Sequence, residues 1–413
     1  MSPTVAFGTL GCKQNQFDTQ SLRAQVLSNG FFLASQSGQA DWYILNTCAV
    51  TERAMAKARG EINRLRRRNK KVRIVALGCG VAQHPDNFAQ ADFVGVIPPE
   101  FSLKSKVSPA ADLRPPHGLI PAGRSRALLR IQSGCDQFCA FCVVPHLRGS
   151  PRSVPLEECL QALRNVLDQG AAEIVLTGTN IALWGRDLPD TPTLIDLLTA
   201  LIANLGDARL RLSSLEPQLI SPQFFQWCLS QPQICRHFHL AIQSGSRSVL
   251  DRMARGTSPM GFYESLAALA HRHPDVAWGA DVIAGLPGET QADFEETRKL
   301  VESIPLSYLH VFPYSERRGT RAAERFDRIP IPERLHRARI LRQIDADLRK
   351  RFRQTNAGRD QDIVTIGGNG SGHRSGLTSN YLRVAFAPGF APPGPRFSHP
   401  VGTSESAVYI LPR

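Results

Sequence analysis

The sequence has 413 residues, enough for two or three domains, and its 42% of hydrophobic residues is sufficient to form their cores. No apolar run reaches the ~18 residues of a membrane span, and the first residues lack a basic region followed by a long apolar segment. We therefore expect neither a membrane anchor nor a secretory signal. The formal net charge of +13 predicts a polyanionic partner, most commonly nucleic acid, and the odd number of nine cysteines is typical of a reducing cytosol.

Strands and helices alternate over residues 1–97, which predicts an N-terminal domain with a doubly wound parallel sheet. The predicted strands are Thr4–Thr9, Trp42–Leu45, Val72–Leu77 and Phe93–Ile97, and the predicted helices run from about Phe17 to Ser28 and from about Glu52 to Arg68. Cys12, Cys48 and Cys79, called here the strand-end cysteines, each follow a different strand. Parallel strands end at one edge of a sheet, so we expect these thiols to converge into a metal site. The alternative is that they are small packed residues.

A basic run, RLRRRNKK, ends the second predicted helix at residues 64–71. Part of this charge complements the C-terminus of the helix. The remainder forms either a solvated surface or a phosphate-binding patch. On the second reading, Arg64, Arg66, Arg67 and Arg68 are candidate RNA-binding residues.

Residues 98–126 are rich in Pro, Ser and Gly and are predicted to form a linker, after which residues 127–354 repeat a strand–helix pattern. The predicted strands are Ala127–Ile131, Ile174–Thr177, Leu210–Ser213, Phe238–Ile242, Trp278–Ile283 and Leu309–Phe312. The predicted helices are Leu156–Gln169, Leu194–Leu205, Gln223–Ser230, Ser246–Arg272 and Gln291–Ser303. Six such units indicate a partial (β/α)6 barrel, whose active site lies at the carboxyl ends of the strands.

The first barrel strand is followed by SGCDQFCAFCVVPHLRG at residues 133–149. This segment, the cysteine loop, spaces Cys135, Cys139 and Cys142 as C-x3-C-x2-C; these are the loop cysteines. Thiolates are the ligands of iron–sulfur clusters, and three of them without a fourth leave one iron open. A helix with packed cysteines is the alternative, but Gly134 and Pro145 favour a loop.

A helix predicted over Glu333–Phe352 has an apolar stripe for the core, and arginines on its other face. These arginines, which include Arg334 and Arg337, are either solvated or phosphate contacts, and Arg349 and Lys350 are the candidate RNA-binding residues. Residues 355–413 change to short alternating runs with glycines, which predicts a small C-terminal β-domain. The runs are Asp362–Ile366, Tyr381–Phe386 and Ala407–Leu411.

Together these motifs resemble the radical S-adenosylmethionine (SAM) methylthiotransferase family. The cysteine loop resembles the cluster-binding loop of radical SAM enzymes, and TLGCKQNQ, NTCAVT and ALGCGVAQ resemble the three cysteine motifs of the family's N-terminal domain. TGTN, SSLEP, LAIQSGS and DVIAGLPGET resemble its barrel motifs, and the C-terminal β-domain is similar to a short, glycine-rich TRAM module. TLGCKQNQFDTQ and FPYSERRGT are most similar to the threonylcarbamoyladenosine tRNA branch.

The resemblance implies two 4Fe–4S clusters and SAM as cofactors. The loop cysteines would hold the cluster that reductively cleaves SAM to a 5′-deoxyadenosyl radical, and the strand-end cysteines a cluster that carries the donated sulfur. Asn180, Ser214, Glu216 and Gln243, at the strand ends of the barrel, are candidate SAM contacts. No side chain is expected to act as an acid or base catalyst.

The implied acceptor is C2 of N6-threonylcarbamoyladenosine at position 37 of tRNA, next to the anticodon. The alternatives are isopentenyladenosine of tRNA, an aspartate of a ribosomal protein, or no catalysis at all, as in an iron–sulfur RNA-binding protein. An electron donor of flavodoxin or ferredoxin type and a sulfur source are implied as partners, and we expect a cytoplasmic monomer. Cys159, Cys228 and Cys235 fall outside every motif and are predicted to be packed thiols.

Overall fold

The computed structural model of the chain describes residues 3–35, 37–97, 101, 118–119, 125–256, 261–366, 375–387, 389–404 and 407–410. These residues form a parallel sheet with helices at the N-terminus, a central α/β barrel that is not closed, and a closed β-barrel at the C-terminus. The predicted fold class is confirmed. The predicted linker, residues 98–126, lies mostly outside the described residues.

The N-terminal sheet has five parallel strands in the order β2-β1-β3-β4-β5. They are β1 (Thr4–Thr9), β2 (Phe32–Leu33), β3 (Trp42–Thr47), β4 (Arg73–Gly78) and β5 (Phe93–Val94), with helices α1 (Lys13–Ser28), α2 (Glu52–Arg68) and α3 (Cys79–Gln83). Every residue of β3 is buried, as expected for a central parallel strand covered on both faces. The short elements β2 and α3 were not predicted, and α1 begins earlier than predicted, directly after Cys12.

The central region contains all six predicted barrel strands, each within two residues of its predicted bounds. Its strands are β6 (Gly118–Leu119), β7 (Arg126–Arg130), β8 (Gln132–Ser133), β9 (Arg152–Ser153), β10 (Glu173–Thr177), β11 (Arg209–Arg211), β12 (His237–Gln243), β13 (Ala277–Ala284) and β14 (Tyr308–Pro313). The sheets β11-β10-β7-β6 and β12-β13-β14 are joined by the parallel bridges Leu210–Ile234 and Leu215–Leu240. The carboxyl ends of the six predicted strands therefore lie on one rim.

The central helices are α4 (Val144–Arg148), α5 (Leu156–Asp168), α6 (Leu194–Ala203), α7 (Pro222–Ser230), α8 (Arg247–Arg252), α9 (Phe262–Arg272), α10 (Gln291–Ser303) and α11 (Ile331–Thr355). The prediction of one helix over Ser246–Arg272 is wrong, because α8 and α9 are separate. The break includes Ala254, whose φ of +51° cannot continue a right-handed helix.

Helix α11 buries most of its predicted apolar stripe, including Ala338 and Leu341. The expectation that its arginines are solvated or contact phosphate is wrong for two of them. Arg334 and Arg337 are buried and form ion pairs with Glu316 and Glu289. These pairs satisfy the charge that burial would otherwise leave uncompensated.

The C-terminal strands close into a barrel in the order β15-β16-β17-β19-β18. They are β15 (Asp360–Ile366), β16 (Ser375–Thr378), β17 (Arg383–Ala385), β18 (Arg396–Thr403) and β19 (Val408–Ile410). The predicted small β-domain is confirmed, although β16 and β18 were missed. Over the described part of the chain, no helix is both long and apolar enough to cross a membrane.

A buried ion network joins the C-terminal barrel to the central barrel. Glu173 is fully buried and accepts hydrogen bonds from Arg126, Arg209 and Arg211 at 2.7–2.8 Å. Burial opposes ionisation of Glu173, but the three guanidinium groups hold its pKa well below the ordinary value. Arg209 and Arg211 also donate to backbone oxygens of the C-terminal barrel, those of Asp362, Leu377, Thr378 and Ser379.

Candidate active site

The strand-end cysteines meet at the carboxyl edge of the N-terminal sheet. Cys12 precedes α1, Cys48 directly follows β3, and Cys79 opens α3. A Cβ added to Gly11 would lie 3.0 Å from the Cβ of Cys48, so the loop before α1 packs directly on Cys48. Burial raises the pKa of the Cys48 thiol to about 11, and the neighbouring Cys12 and Cys79 raise it further. The three distant thiols are therefore close enough to influence one another.

The loop cysteines lie in an irregular segment between β8 and α4, as predicted. Within it, the Cys142 amide donates to the Cys139 carbonyl at 3.0 Å. Gly134, with φ of +78°, packs so tightly that an added Cβ would lie 2.0 Å from the carbonyl oxygen of Ser150. Burial raises the pKa of all three thiols, that of Cys142 to about 12.

The donor set at both places fits an iron–sulfur cluster. All nine cysteines are free thiols, and each group supplies three of them, which leaves one iron without a protein thiolate. Charged thiolates are unfavourable in buried surroundings unless a metal or a cation balances them. Cys159, Cys228 and Cys235, by contrast, are buried away from both groups, in agreement with the prediction that they are packed thiols.

Two arginines stand beside the cysteine groups. Arg255 is buried, pairs with Glu216, and directs Nη1 at the Cys139 sulfur, 3.7 Å away. Arg148, in α4, crosses to the N-terminal domain and donates to Asp18 at 2.8 Å. Burial raises the pKa of Cys79, and the positive charge of Arg148 opposes that rise. Each arginine thus places positive charge next to thiols of one group.

A cavity of about 200 Å³ lies next to the loop cysteines and to the segment that follows Cys48. Cys142 lines it on one side, and Val50 and Thr51, which follow Cys48 in the chain, line it on another. Phe141, Val143 and Val144, next to Cys142 in the chain, form a second part of the wall. The remaining wall comes from the barrel strands β12 to β14 and the segment after them, and is formed by Gln243, Asp281, Ile283, Phe312, Pro313, Tyr314, Ser315 and Arg317. Cys79 also shares a small apolar cluster with Val143, the residue that follows Cys142 in the chain.

Arg317 is the cationic side chain in the wall of this cavity. Its Nη1 donates to the Ser315 hydroxyl at 2.7 Å and to the Glu316 carbonyl at 2.9 Å. Within the described ranges it forms no ion pair with a carboxylate, and burial lowers the pKa of its guanidinium. A guanidinium in this position is suited to bind an anion that enters the cavity.

Comparison with known proteins gives matches that cover most of the chain. Residues 4–97 match the family described as Uncharacterized protein family UPF0004, and residues 129–301 match the Radical SAM superfamily. A protein of Aquifex aeolicus named Threonylcarbamoyladenosine tRNA methylthiotransferase MtaB is 33% identical over 399 residues, which cover 92% of this chain and 96% of that protein. The chain belongs to the radical SAM tRNA methylthiotransferase family. Membership implies an iron–sulfur cluster and SAM as cofactors and tRNA as the substrate.

The chain is also similar to a relative with a different named substrate and to a solved structure. A tRNA-2-methylthio-N(6)-dimethylallyladenosine synthase of Syntrophobacter fumaroxidans is 30% identical over 382 residues, covering 87% of this methylthiotransferase and 84% of that protein. The radical SAM methyltransferase TsrM of Kitasatospora setae, solved with cobalamin and a [4Fe-4S] cluster, aligns with a TM-score of 0.51 at 14% identity, covering 78% of this chain and 77% of that one. The structural likeness supports the fold.

The four candidate SAM contacts of this methylthiotransferase differ in their burial and in their distance from the cavity and the loop cysteines. Gln243 lines the cavity and adopts a φ of +66°, a strained conformation for a side chain of this kind. Glu216 faces the loop cysteines through Arg255. Asn180 is buried, and its Nδ2 has no hydrogen-bond partner among the described residues. Ser214 is exposed.

The candidate RNA-binding residues also differ in their exposure and in their contacts. Arg64, Arg67 and Arg68 are exposed near the end of α2, and Arg64 lies 3.9 Å from a Glu61 carboxylate oxygen. Arg66 donates to the Val72 carbonyl and pairs with Asp92. In α11, Lys350 is exposed, but Arg349 pairs with Asp345 at 2.8 Å and lies over the ring of Tyr308. Arg64, Arg66 and Arg349 therefore already have carboxylate partners within the protein.

The sequence did not single out three polar residues near the site. Asp281 lies within the DVIAGLPGET segment, but nothing in that segment shows that its side chain lines a cavity. Arg148 and Arg255 belong to no predicted site, because their partners are distant in sequence. The available signals were a basic residue at the end of the cysteine loop and another after α8, and basic residues are common at helix ends.

Proposed function

We propose that this methylthiotransferase adds a methylthio group to C2 of N6-threonylcarbamoyladenosine at position 37 of tRNA. The observation that carries the proposal is the cavity lined by Cys142, one of the loop cysteines, and by Val50 and Thr51, which follow the strand-end cysteine Cys48 in the chain. A single space next to both cysteine groups would bring radical formation and sulfur donation within reach of one base. Relatives of 30–33% identity named for this activity support the choice of acceptor.

Two 4Fe–4S clusters, with SAM on the first, would supply the radical and the sulfur. In this proposal the loop cysteines hold the first cluster and the strand-end cysteines hold the second. Arg255 and Arg148 balance the charge of the thiolates, and the apolar wall that includes Phe141 and Phe312 excludes water from the reacting groups.

Gln243 is proposed to contact SAM because it lines the cavity together with Cys142, and Glu216 because Arg255 links it to Cys139. Asn180 is proposed as a further contact, since its buried Nδ2 is a donor without a partner in the described part of the chain. Ser214, which is exposed, has no such support in the structure.

The polar part of the cavity favours the threonylcarbamoyl group over an isopentenyl group. A threonylcarbamoyl group carries a carboxylate, whereas an isopentenyl group is a hydrocarbon and would leave the Arg317 guanidinium without a charged partner. Ser315 and Gln243 offer further hydrogen bonds to polar atoms of the modification. We therefore assign the carboxylate of the substrate to Arg317.

The base reaches the cavity only when it is unstacked from the anticodon loop, which is how proteins recognise most single-stranded RNA. Arg64, Arg67, Arg68 and Lys350 are exposed and are proposed to contact phosphates. Arg66 and Arg349 would have to leave their carboxylate partners first. The implied partners outside the chain are an electron donor of flavodoxin or ferredoxin type and a sulfur source. Action as a cytoplasmic monomer stays a prediction.

Liquid chromatography with mass spectrometry of tRNA nucleosides tests the proposed function. The reconstituted protein is incubated with SAM, dithionite and tRNA that carries either threonylcarbamoyladenosine or isopentenyladenosine at position 37. We expect the methylthio derivative of threonylcarbamoyladenosine to accumulate. Modification of the isopentenyl substrate alone would reassign the acceptor, and absence of both products together with 5′-deoxyadenosine formation would show that the acceptor is not one of these bases.

A further inference from the structure

Three potential metal ligands lie side by side on the last three strands of the central barrel. His239 is on β12, Asp281 on β13 and His310 on β14, and Asp281 and His310 are paired directly in register. One ligand atom from each residue lies within 4.8 Å of the other two. Neither the cysteine motifs nor the family matches assign a role to this group.

We propose that His239, Asp281 and His310 bind one divalent transition-metal ion, separate from the iron of the clusters. The Asp281 Oδ1 lies 2.9 Å from His239 Nε2 and 3.3 Å from His310 Nδ1. Ligand atoms about 2.0–2.2 Å from one ion, at angles near 90–110°, are about 2.8–3.6 Å apart. Both of these separations fall in that range, and the ligand nitrogens of His239 and His310 lie within 4.8 Å of each other.

Tyr308 provides the supporting contact that a metal-binding histidine needs. Its hydroxyl lies 2.9 Å from His239 Nδ1 and 2.8 Å from His237 Nε2. Without an ion, Tyr308 donates to His239 Nδ1, and His239 Nε2 donates to Asp281. With an ion on Nε2, His239 Nδ1 donates to Tyr308, and Tyr308 donates to His237. The hydroxyl satisfies either state, and it fixes which nitrogen of His239 faces the ion.

The chemistry of the three ligands selects the class of ion. Two imidazoles and one carboxylate suit Zn²⁺, Fe²⁺ or Co²⁺, whereas Mg²⁺ and Ca²⁺ prefer sites made entirely of oxygen. The side chain of His310 is 48% exposed and Asp281 lines the cavity. The ion can therefore enter from solvent, and its remaining positions are open to water or to an oxygen ligand on the cavity side.

Zinc binding to the cluster-loaded protein tests this site. Excess metal is removed by gel filtration, the protein is dialysed against micromolar Zn²⁺, and zinc is counted by elemental mass spectrometry. The variants are His310→Gln and, as a matched control, His271→Gln, since His271 is exposed on α9. We expect one zinc per chain in the native protein and the control, and at least tenfold weaker binding in His310→Gln. Tyr308→Phe should weaken binding about tenfold.

X-ray absorption at the zinc edge shows which atoms hold the ion. Nitrogen and oxygen ligands lie at about 2.0–2.2 Å and sulfur at about 2.3 Å, so zinc at the proposed site is distinguished from zinc on the cysteines. A spectrum without sulfur supports the proposal. Zinc that is absent from the native protein, bound through sulfur, or retained equally by His310→Gln would overturn it, provided that the iron content of that variant is unchanged.

Discussion

Replacing Arg317 with methionine tests the recognition of the substrate carboxylate. Methionine keeps an unbranched side chain of similar length but removes the guanidinium, whose described partners are the Ser315 hydroxyl and the Glu316 carbonyl. A hydrogen bond to a charged group contributes about 1.5–3 kcal/mol. At about 1.4 kcal/mol for each factor of ten, the variant should lose about 10- to 150-fold in kcat/KM with threonylcarbamoyladenosine in tRNA.

The assay compares two substrates that differ only at the carboxylate. One is an anticodon stem-loop with threonylcarbamoyladenosine, and the other carries the amide of the same modification. The native enzyme should prefer the carboxylate, and Arg317→Met should reduce only the reaction of the carboxylate substrate. Arg318→Met is the matched control, because Arg318 is exposed and does not line the cavity. It should behave like the native enzyme.

If Arg317 instead supported the strand-end cysteines, the substitution would give a different result. Arg317 lies near enough to Cys48 to oppose the rise in that thiol's pKa caused by burial. If its function were to support the strand-end cysteines, Arg317→Met would slow both substrates equally and lower the iron content. Equal loss on the two substrates, or no loss on either, would refute the assignment of the carboxylate to Arg317.

The other predictions concern the cysteine loop and the attachment of the C-terminal barrel. Gly134→Ala should reduce the iron bound by the loop cysteines, because the new Cβ would lie 2.0 Å from the Ser150 carbonyl oxygen. The control is Gly170→Ala, also at a positive φ (+84°) but outside the cysteine loop and with nothing within 4 Å of the new Cβ; it should cost about 1–2 kcal/mol of backbone strain and keep its iron. Glu173→Ala should weaken the attachment by about 3–5 kcal/mol by leaving buried guanidinium groups unpaired, measured as earlier release of the C-terminal barrel in limited proteolysis. Glu302→Ala removes an exposed ion-pair partner and should cost no more than about 1 kcal/mol.

The strands were predictable from the sequence because their signal is local. Apolar runs such as Trp42–Leu45 and Trp278–Ile283 indicate strands that are buried on both faces of a parallel sheet. The same local signal merged α8 and α9, since both helices are amphipathic and the segment at residues 253–261 that separates them, which includes Ala254 at a φ of +51°, is short. It also missed β18, which alternates between partly and fully buried residues instead of forming an apolar run.

The positions of the cysteines could be predicted, but the surroundings of the site could not. Topology alone brings the strand-end cysteines to one edge of the sheet, since parallel strands end together. The contacts of Arg255 and Arg148, by contrast, join residues more than a hundred positions apart in the chain. Likewise, buried Arg334 and Arg337 look like ordinary surface residues of a helix until their carboxylate partners are located.

The most direct test of the two-cluster account removes only the strand-end cysteines. In the variant Cys12→Ala/Cys48→Ala/Cys79→Ala, iron should fall from about eight to about four per chain, because one of two four-iron clusters is lost. The variant should still form 5′-deoxyadenosine from SAM and dithionite, since the loop cysteines are unchanged, but it should yield no methylthio nucleoside in tRNA. A variant that keeps eight irons, or that still modifies tRNA, would contradict the assignment of sulfur donation to these cysteines.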